Sequence, residues 1–240
     1  MIKGVLFDKD GTLIDFFSLW LQAALDAVPE FLRLNGLDQE LADYILQTIG
    51  VEKEKVDPKG ALAYKSYAEI AGDIRCALLV RGIDLDEEMI RVQIEELFNK
   101  SVTGRNASYR QFTDIGKLVD RLKAKHIYVG LATADTMVSA LNCLRTLGTL
   151  EKFDYIGADD GTKRPKPEPD MFREFQSKFH LEAGEIAVVG DTYNDMIFAA
   201  QNGGIAIGVL SGVSEKADFQ GAADYIIGSI QELPEVLDMM

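Results

Sequence analysis

Six short apolar runs constrain this chain more than any other feature. Ile2–Phe7, Ile127–Ala132, Phe153–Gly157, Ile186–Val189, Ile205–Val209 and Tyr225–Ile227 are each strand-length, bounded by polar or turn-forming residues. From about Arg110 onward they alternate with helical stretches. That alternation is the pattern of right-handed βαβ crossovers and of a parallel sheet buried on both faces. The expected class is α/β.

The stretch between Ile14 and about Thr103 has a different texture. It lacks a convincing buried strand and carries several amphipathic helical patterns, so it reads as an inserted all-α module. Phe16–Leu34 is one such helix, with Pro29 expected to kink or divide it and Gly36 to close it. Asp38 can cap a second helix, residues from about Ala61 to Val80 give one or two more before Gly82, and Asp84 can cap a last one reaching Phe98. The expected division is a sheet domain of residues 1–14 and 105–240, interrupted by a domain of four or five helices over 15–104.

Charge and cysteine content narrow the partners. With 39 acidic against 25 basic side chains, the formal charge of −14 would repel nucleic-acid phosphates and anionic lipid, so neither is an expected partner. An anionic substrate would need a metal ion or a placed lysine to overcome that field. Cys76 and Cys143 are far apart and fit neither a disulfide framework nor a thiolate zinc site, so buried thiols are expected. Acidic residues interrupt the N-terminal apolar run at Asp8, and no run of about 18 apolar residues follows. A cytoplasmic protein is expected.

Reactive side chains stand at the carboxyl ends of the runs, where open parallel sheets gather ligand-binding groups. The first leads into Asp8-Lys9-Asp10-Gly11-Thr12, the second into Thr133-Ala134-Asp135, the third into Asp159-Asp160, and the fourth into Gly190-Asp191-Thr192-Tyr193-Asn194-Asp195. Carboxylates converging there are costly unless a divalent cation or a lysine neutralises them, and an all-oxygen cluster suits Mg²⁺ better than zinc. Asp8 and Asp10 can address one space. One carboxylate can attack phosphorus while the other protonates the leaving oxygen and later activates water. Each motif alone has a plainer alternative: Asp-x-Asp-Gly as a solvated turn, Thr133 or Asp191 as a helix cap.

Together these motifs resemble the signature of the haloacid dehalogenase superfamily. Asp8–Thr12 matches its Asp-x-Asp-Gly-Thr, Thr133 its Thr or Ser after the second strand, Lys166-Pro167-Glu168-Pro169 its lysine before a proline-rich stretch, and Gly190–Asp195 its Gly-Asp-x-x-x-Asp. The resemblance implies a Rossmann-like core with a helical cap. It implies Asp8 as the residue that becomes an aspartyl-phosphate, Asp10 as general acid and base, and Thr133 as a hydrogen-bond partner of the phosphoryl oxygens. Lys166 would neutralise charge on Asp8 and the phosphoryl group, with Lys163 a competing amine in the same basic loop. Mg²⁺ would be held by Asp8, the Asp10 main-chain carbonyl and Asp191, with Asp195 a ligand or one step removed. Two departures stand out. Ala134 borders the phosphate site where many relatives have Asn, and Lys9 occupies a position that is often apolar. Asp10 itself points to phosphate esters rather than carbon–halogen bonds.

The stretch from Val189 to Gly204 looks much like that of phosphoglycolate phosphatases, and the cap implies a small phosphorylated metabolite as substrate, handled by a monomer or homodimer. In the cap, the Asp57-Pro58-Lys59-Gly60 turn is nominated to select the leaving group, with Lys59 and Gly60 as binding residues and Arg75 and Arg81 as alternatives. Trp20, Phe16 and Phe17 read as helix packing, and His126 and His180 have no assigned role. Asp135, Asp159 and Asp160 are left open, with turn solvation the plainer reading. A Mg²⁺-dependent phosphatase is the leading expectation; a phosphosugar mutase of the same fold and a non-catalytic metabolite-sensing or partner-binding protein are the alternatives.

Overall fold

Gly4–Phe7 (β1) is short, apolar and buried at every position, as a strand flanked on both sides within a sheet must be. The computed structural model describes residues 1–15, 17–53, 55–57, 59–103 and 109–240. It separates into two compact units, Met1–Phe16 with Tyr109–Met240, and Phe17–Ser108.

The second unit is helical. A π-helical turn, Phe17–Leu21, runs into α1 (Gln22–Leu34), and a 3₁₀ turn, Gln39–Leu41, into α2 (Ala42–Thr48). A two-stranded antiparallel ribbon, β2 (Val51–Glu52) with β3 (Lys55–Val56), precedes α3 (Ala61–Tyr64), α4 (Tyr67–Val80) and α5 (Glu87–Thr103). Of the two outcomes expected at Pro29, a kink or a division, division does not occur: α1 runs through it. The buried face of Ala23, Ala24, Ala27, Val28, Phe31 and Leu32 continues on both sides of it, and that packing sustains the helix through one missing donor. Gly36 closes α1 with a left-handed φ of +64°, and Leu37 N–H reaches back to the Leu32 carbonyl at 2.9 Å. Asp38 caps its 3₁₀ turn as expected, through the N–H of Glu40. Asp86, rather than Asp84, accepts from Met89 N–H at 2.8 Å, while Asp84 pairs with Arg75. Trp20 stacks on Phe98 at 5.9 Å between centroids and so packs the unit, whereas Phe16 lies outside the described residues.

The first unit holds the sheet. After β1 come α6 (Ile115–Lys123), β4 (Tyr128–Thr136), α7 (Met137–Thr146), β5 (Tyr155–Asp159), α8 (Asp170–Phe179), β6 (Ile186–Gly190), α9 (Tyr193–Gln201), β7 (Ile205–Val209), β8 (Tyr225–Ile227) and α10 (Leu233–Leu237). The six strands pair in parallel in the order β5-β4-β1-β6-β7-β8. All six anticipated runs are strands of this one sheet, and the α/β class with a helical module holds. Phe172, Phe175, Met196, Phe198 and Phe219 fill the core against Leu6, Val188 and Ala206. Phe172 and Phe198 meet edge to face at 5.9 Å, a favoured aromatic geometry. Cys143 is buried, and burial pushes its thiol up to about 12. Cys76 is exposed, correcting the expectation of two buried thiols; it lies on the outer side of α4, away from the face of Ile70, Ile74 and Leu78. No described helix is long and apolar enough to cross a membrane.

Candidate active site

β1 and β6 are neighbours, and the residues just past their ends meet. Asp8 is fixed by its N–H on the Val189 carbonyl at 2.8 Å. Its Oδ1 accepts from Lys166 Nζ at 2.7 Å, across 158 residues of sequence. The same ammonium donates to Asp195 Oδ1 at 2.5 Å. Lys166 is held in the loop before α8 by Asn194, whose side-chain amide donates to the Lys166 carbonyl at 3.0 Å. Lys163, the competing amine, is instead engaged by Asp160 at 2.6 Å. Asp160 also accepts from the Thr162 and Lys163 N–H groups, and Asp159 from Gly161 N–H, so both build a turn.

Asp191 and Asp195 come from the two ends of one capping turn. Thr192 caps α9, its hydroxyl and N–H donating to Asp195 Oδ2 at 2.6 and 3.1 Å. Asp191 is fully buried, with Oδ1 accepting from Thr12 Oγ1 at 3.2 Å and Oδ2 from Val213 N–H at 3.0 Å. Gly11 and Gly212 close over it. A Cβ on Gly212 would stand 1.9 Å from Asp191 Oδ2, and one on Gly11, already at φ +86°, 2.2 Å from the same atom. Gly212→Ala is therefore expected to cost about 1–3 kcal/mol by overpacking, read by denaturant unfolding. An unchanged midpoint would mean that this backbone yields freely.

Carboxylate oxygens of Asp8, Asp191 and Asp195 lie within 4.8 Å of one another, all three residues buried. Burial pushes the Asp8 carboxyl up to about 7; Lys166 pulls it down, and Asp195 and Asp10 add to the rise. Burial likewise raises Asp191 well above the carboxylate range, reinforced by Asp8 and Asp195. Burial works against the charge on Lys166, but Asp195 and Asp8 outweigh it and hold the ammonium protonated. Three buried carboxylates against one lysine leave negative charge uncompensated. A hard divalent cation with oxygen ligands fits that donor set, whereas the absence of His or Cys from it disfavours zinc.

Thr133 is buried within β4, three residues before its end, where the register with β5 shifts between Ala132 and Thr136, and its Oγ1 accepts from Asp135 N–H at 3.2 Å. Ala134, beside it, is half-buried. Asp10 is largely buried and its Oδ2 lies 2.7 Å from Lys9 Nζ. The sequence marks Lys9 only as a departure at an often apolar position, not as a buried ion-paired residue, since lysines are almost never fully buried unless paired. Here its side chain has no solvent exposure, and Asp135 Oδ2 lies on its other side at 2.8 Å. Burial opposes the Lys9 charge, but Asp10 and Asp135 raise its pKa well above the usual value. Thr12, Asn194, Val213 and Gly212 were also not anticipated. Thr12 lay inside the recognised signature, while the Val213 contact depends on a loop after β7 that carries no motif.

Lys59 and Gly60 belong to the helical unit, apart from this cluster in the chain's division into units. With Asp57, Tyr44 and Lys65 they line an open cavity of about 580 Å³. Asp57 shapes the turn by accepting from the N–H groups of Lys59 and Gly60 at 2.9 and 2.8 Å; Pro58 is outside the described residues. Arg75 and Arg81 are committed within the unit. Arg75 donates to the Leu85 carbonyl at 3.1 Å, and the Arg81 guanidinium lies 4.3 Å from the Tyr44 ring centroid.

The chain is 26% identical over 250 residues to a phosphoglycolate phosphatase of Neisseria meningitidis, covering 98% of this chain and 94% of that protein. It is 27% identical over 239 residues to a glyceraldehyde 3-phosphate phosphatase of Methanocaldococcus jannaschii, covering 99% and 97%. The crystal structure of a hydrolase from Pseudomonas syringae superposes with a TM-score of 0.71 at 19% identity, covering 100% of this chain and 99% of that one. A family model described as haloacid dehalogenase-like hydrolase matches residues 2–203, which contain every residue of the acid cluster and the lysine it surrounds. The chain belongs to the haloacid dehalogenase-like hydrolases.

Proposed function

We propose that this chain is a Mg²⁺-dependent phosphatase of small phosphorylated metabolites, acting through a phosphoryl group carried on Asp8. The contact of Lys166 with both Asp8 and Asp195, inside a cluster of three buried carboxylates, carries this reading. Asp8 Oδ attacks the ester phosphorus, the bond from phosphorus to the alkoxide oxygen breaks, and Asp10 gives that oxygen its proton. Water then attacks the aspartyl-phosphate, Asp10 takes the water's proton, and inorganic phosphate leaves with Asp8 restored. Lys166 keeps Asp8 ionised for attack and offsets charge on the transferring group, and Thr133 donates its hydroxyl to a phosphoryl oxygen. Asp8, the Asp10 main-chain carbonyl, Asp191 and Asp195 would hold Mg²⁺, which supplies charge neutralisation for the phosphoryl oxygens.

We read residues 15–104 as the domain that selects the leaving group, with Lys59 and Gly60, which line the cavity of about 580 Å³, as its selecting residues. The full-length similarity to phosphatases of two- and three-carbon phosphate esters supports a small substrate. The test is phosphate release from 2-phosphoglycolate, triose phosphates and hexose phosphates, with Mg²⁺ or with excess chelator. Release that requires Mg²⁺ is expected. Isomer formation without phosphate would instead identify a mutase, and ligand-dependent stabilisation without any product a binding protein.

A further inference from the structure

Lys9 presents a problem that fold stability does not solve. A lysine with no solvent exposure sits between two carboxylates, Asp10 at 2.7 Å and Asp135 at 2.8 Å. Replacing a buried ion pair with apolar side chains of similar size is commonly neutral or stabilising, so holding the fold is a weak reason for this arrangement. What the triad does fix is position. Asp135 is held twice by its surroundings: its Oδ1 accepts from Thr136 N–H at 2.7 Å and its own N–H donates to Thr133 Oγ1 at 3.2 Å. Thr136 in turn caps α7. Asp135 is thus set by the end of β4, and it leaves Oδ2 to hold the Lys9 ammonium. Lys9 is anchored at its own main chain as well, its carbonyl accepting from the N–H groups of Leu13 and Ile14 at 2.9 and 3.1 Å. The ammonium therefore has one defined place, and Asp10 Oδ2 rests on it.

We propose that Lys9 and Asp135 are positioning residues for Asp10. They hold its Oδ2 and tie that oxygen, through Lys9 and Asp135, to Thr133 on the neighbouring strand, which pairs with β1 directly. Proton transfer in a transition state depends on such placement, because a displacement of about 1 Å can cost on the order of a hundredfold in rate. The inference rests on the reading of Asp10 as the acid that protonates the leaving oxygen.

Leaving-group dependence separates positioning from general structural damage. p-Nitrophenolate departs without a proton, whereas an alkoxide needs one, and kcat/KM reports the steps through formation of the aspartyl-phosphate. The experiment compares kcat/KM for 2-phosphoglycolate, or the best alkyl ester of the panel, with that for p-nitrophenyl phosphate. It uses the native chain, Asp10→Asn, Asp135→Asn, Lys9→Met and the double variant Asp10→Asn/Asp135→Asn. Asp135→Asn and Lys9→Met are expected to lower the alkyl-to-aryl ratio by about tenfold or more, in the direction of Asp10→Asn. In the Asp10→Asn background, Asp135→Asn should lower the ratio no further. Equal losses on both esters, or no loss, in a chain whose Asp10→Asn form is selectively impaired would overturn the positioning role alone. An Asp10→Asn chain that loses both esters alike would overturn the acid assignment, and the inference with it. Should Lys9→Met fail to fold, the near-isosteric Asp135→Asn decides.

Discussion

Asp8→Asn is expected to lower phosphate release by at least about a thousandfold while the protein stays folded. The amide keeps the shape of the carboxylate but has no charge with which to attack phosphorus. Stability should move the other way from activity. In the native chain without a cation, Asp8 is a buried acid raised to about 7 by burial and by its acidic neighbours. Removing its charge removes that cost. In chelator at pH 8, the variant should melt no lower than the native chain, and added Mg²⁺ should raise its melting temperature less than it raises the native one. Retained turnover would sink the nucleophile assignment, and a collapsed melting temperature would show that Asp8 is needed for folding.

Lys166→Met should lose both activity and stability. The lost ammonium strips a cationic partner from Asp8 and Asp195, two buried carboxylates it contacts at 2.7 and 2.5 Å. Removing one partner from a buried ion pair costs about 3–5 kcal/mol, and losing a charge aimed at a transferring phosphoryl group costs about a hundredfold or more in kcat. The stability loss should depend on pH with a definite sign. Asp8, already raised to about 7 with Lys166 present, rises further without it. From pH 5 upward the folded state then holds protons that the unfolded state has released, so stability falls as pH rises. The deficit of Lys166→Met relative to the native chain, measured by denaturant unfolding in chelator, should be largest near pH 8 and shrink toward pH 5. A deficit independent of pH would mean that packing, rather than the stranded carboxylates, dominates.

The sheet was legible because buried parallel strands are short unbroken apolar runs, and each of the six runs here is one. Their carboxyl ends were less so. β4 continues to Thr136, past the last apolar residue, because Thr133–Asp135 stay along the strand while the β5 register shifts. Helix ends were read where a glycine or an adjacent acid marked them, as at Gly36 and Asp38. Asp84 misled because Asp86 stands two residues on with the same side chain, and only the placement of Met89 N–H separates them. Pro29 does not end α1, because a packed face of which local propensity says nothing carries the helix past it. At the site, the resemblance to the haloacid dehalogenase motifs implied that Asp8, Lys166, Asp191 and Asp195 act together, and the structure brings these four together. The Lys9–Asp135 contact was not legible, since it joins two strands through a side-chain direction that spacing does not give.

β1 occupies the middle of the order β5-β4-β1-β6-β7-β8, so the chain builds outward from it in two directions. Its partners on either side begin at Tyr128 and Ile186, both distant in sequence. The site around Asp8 is therefore complete only when β6 has brought Asp191 and Asp195 and β4 has brought Thr133 to the first strand. Contacts of such sequence separation are the slow ones to form. Recovery of turnover after dilution from denaturant is thus expected to mark the pairing of β1 with both β4 and β6, and a chain arrested with only one of them in place would be inert toward its substrate rather than partly active.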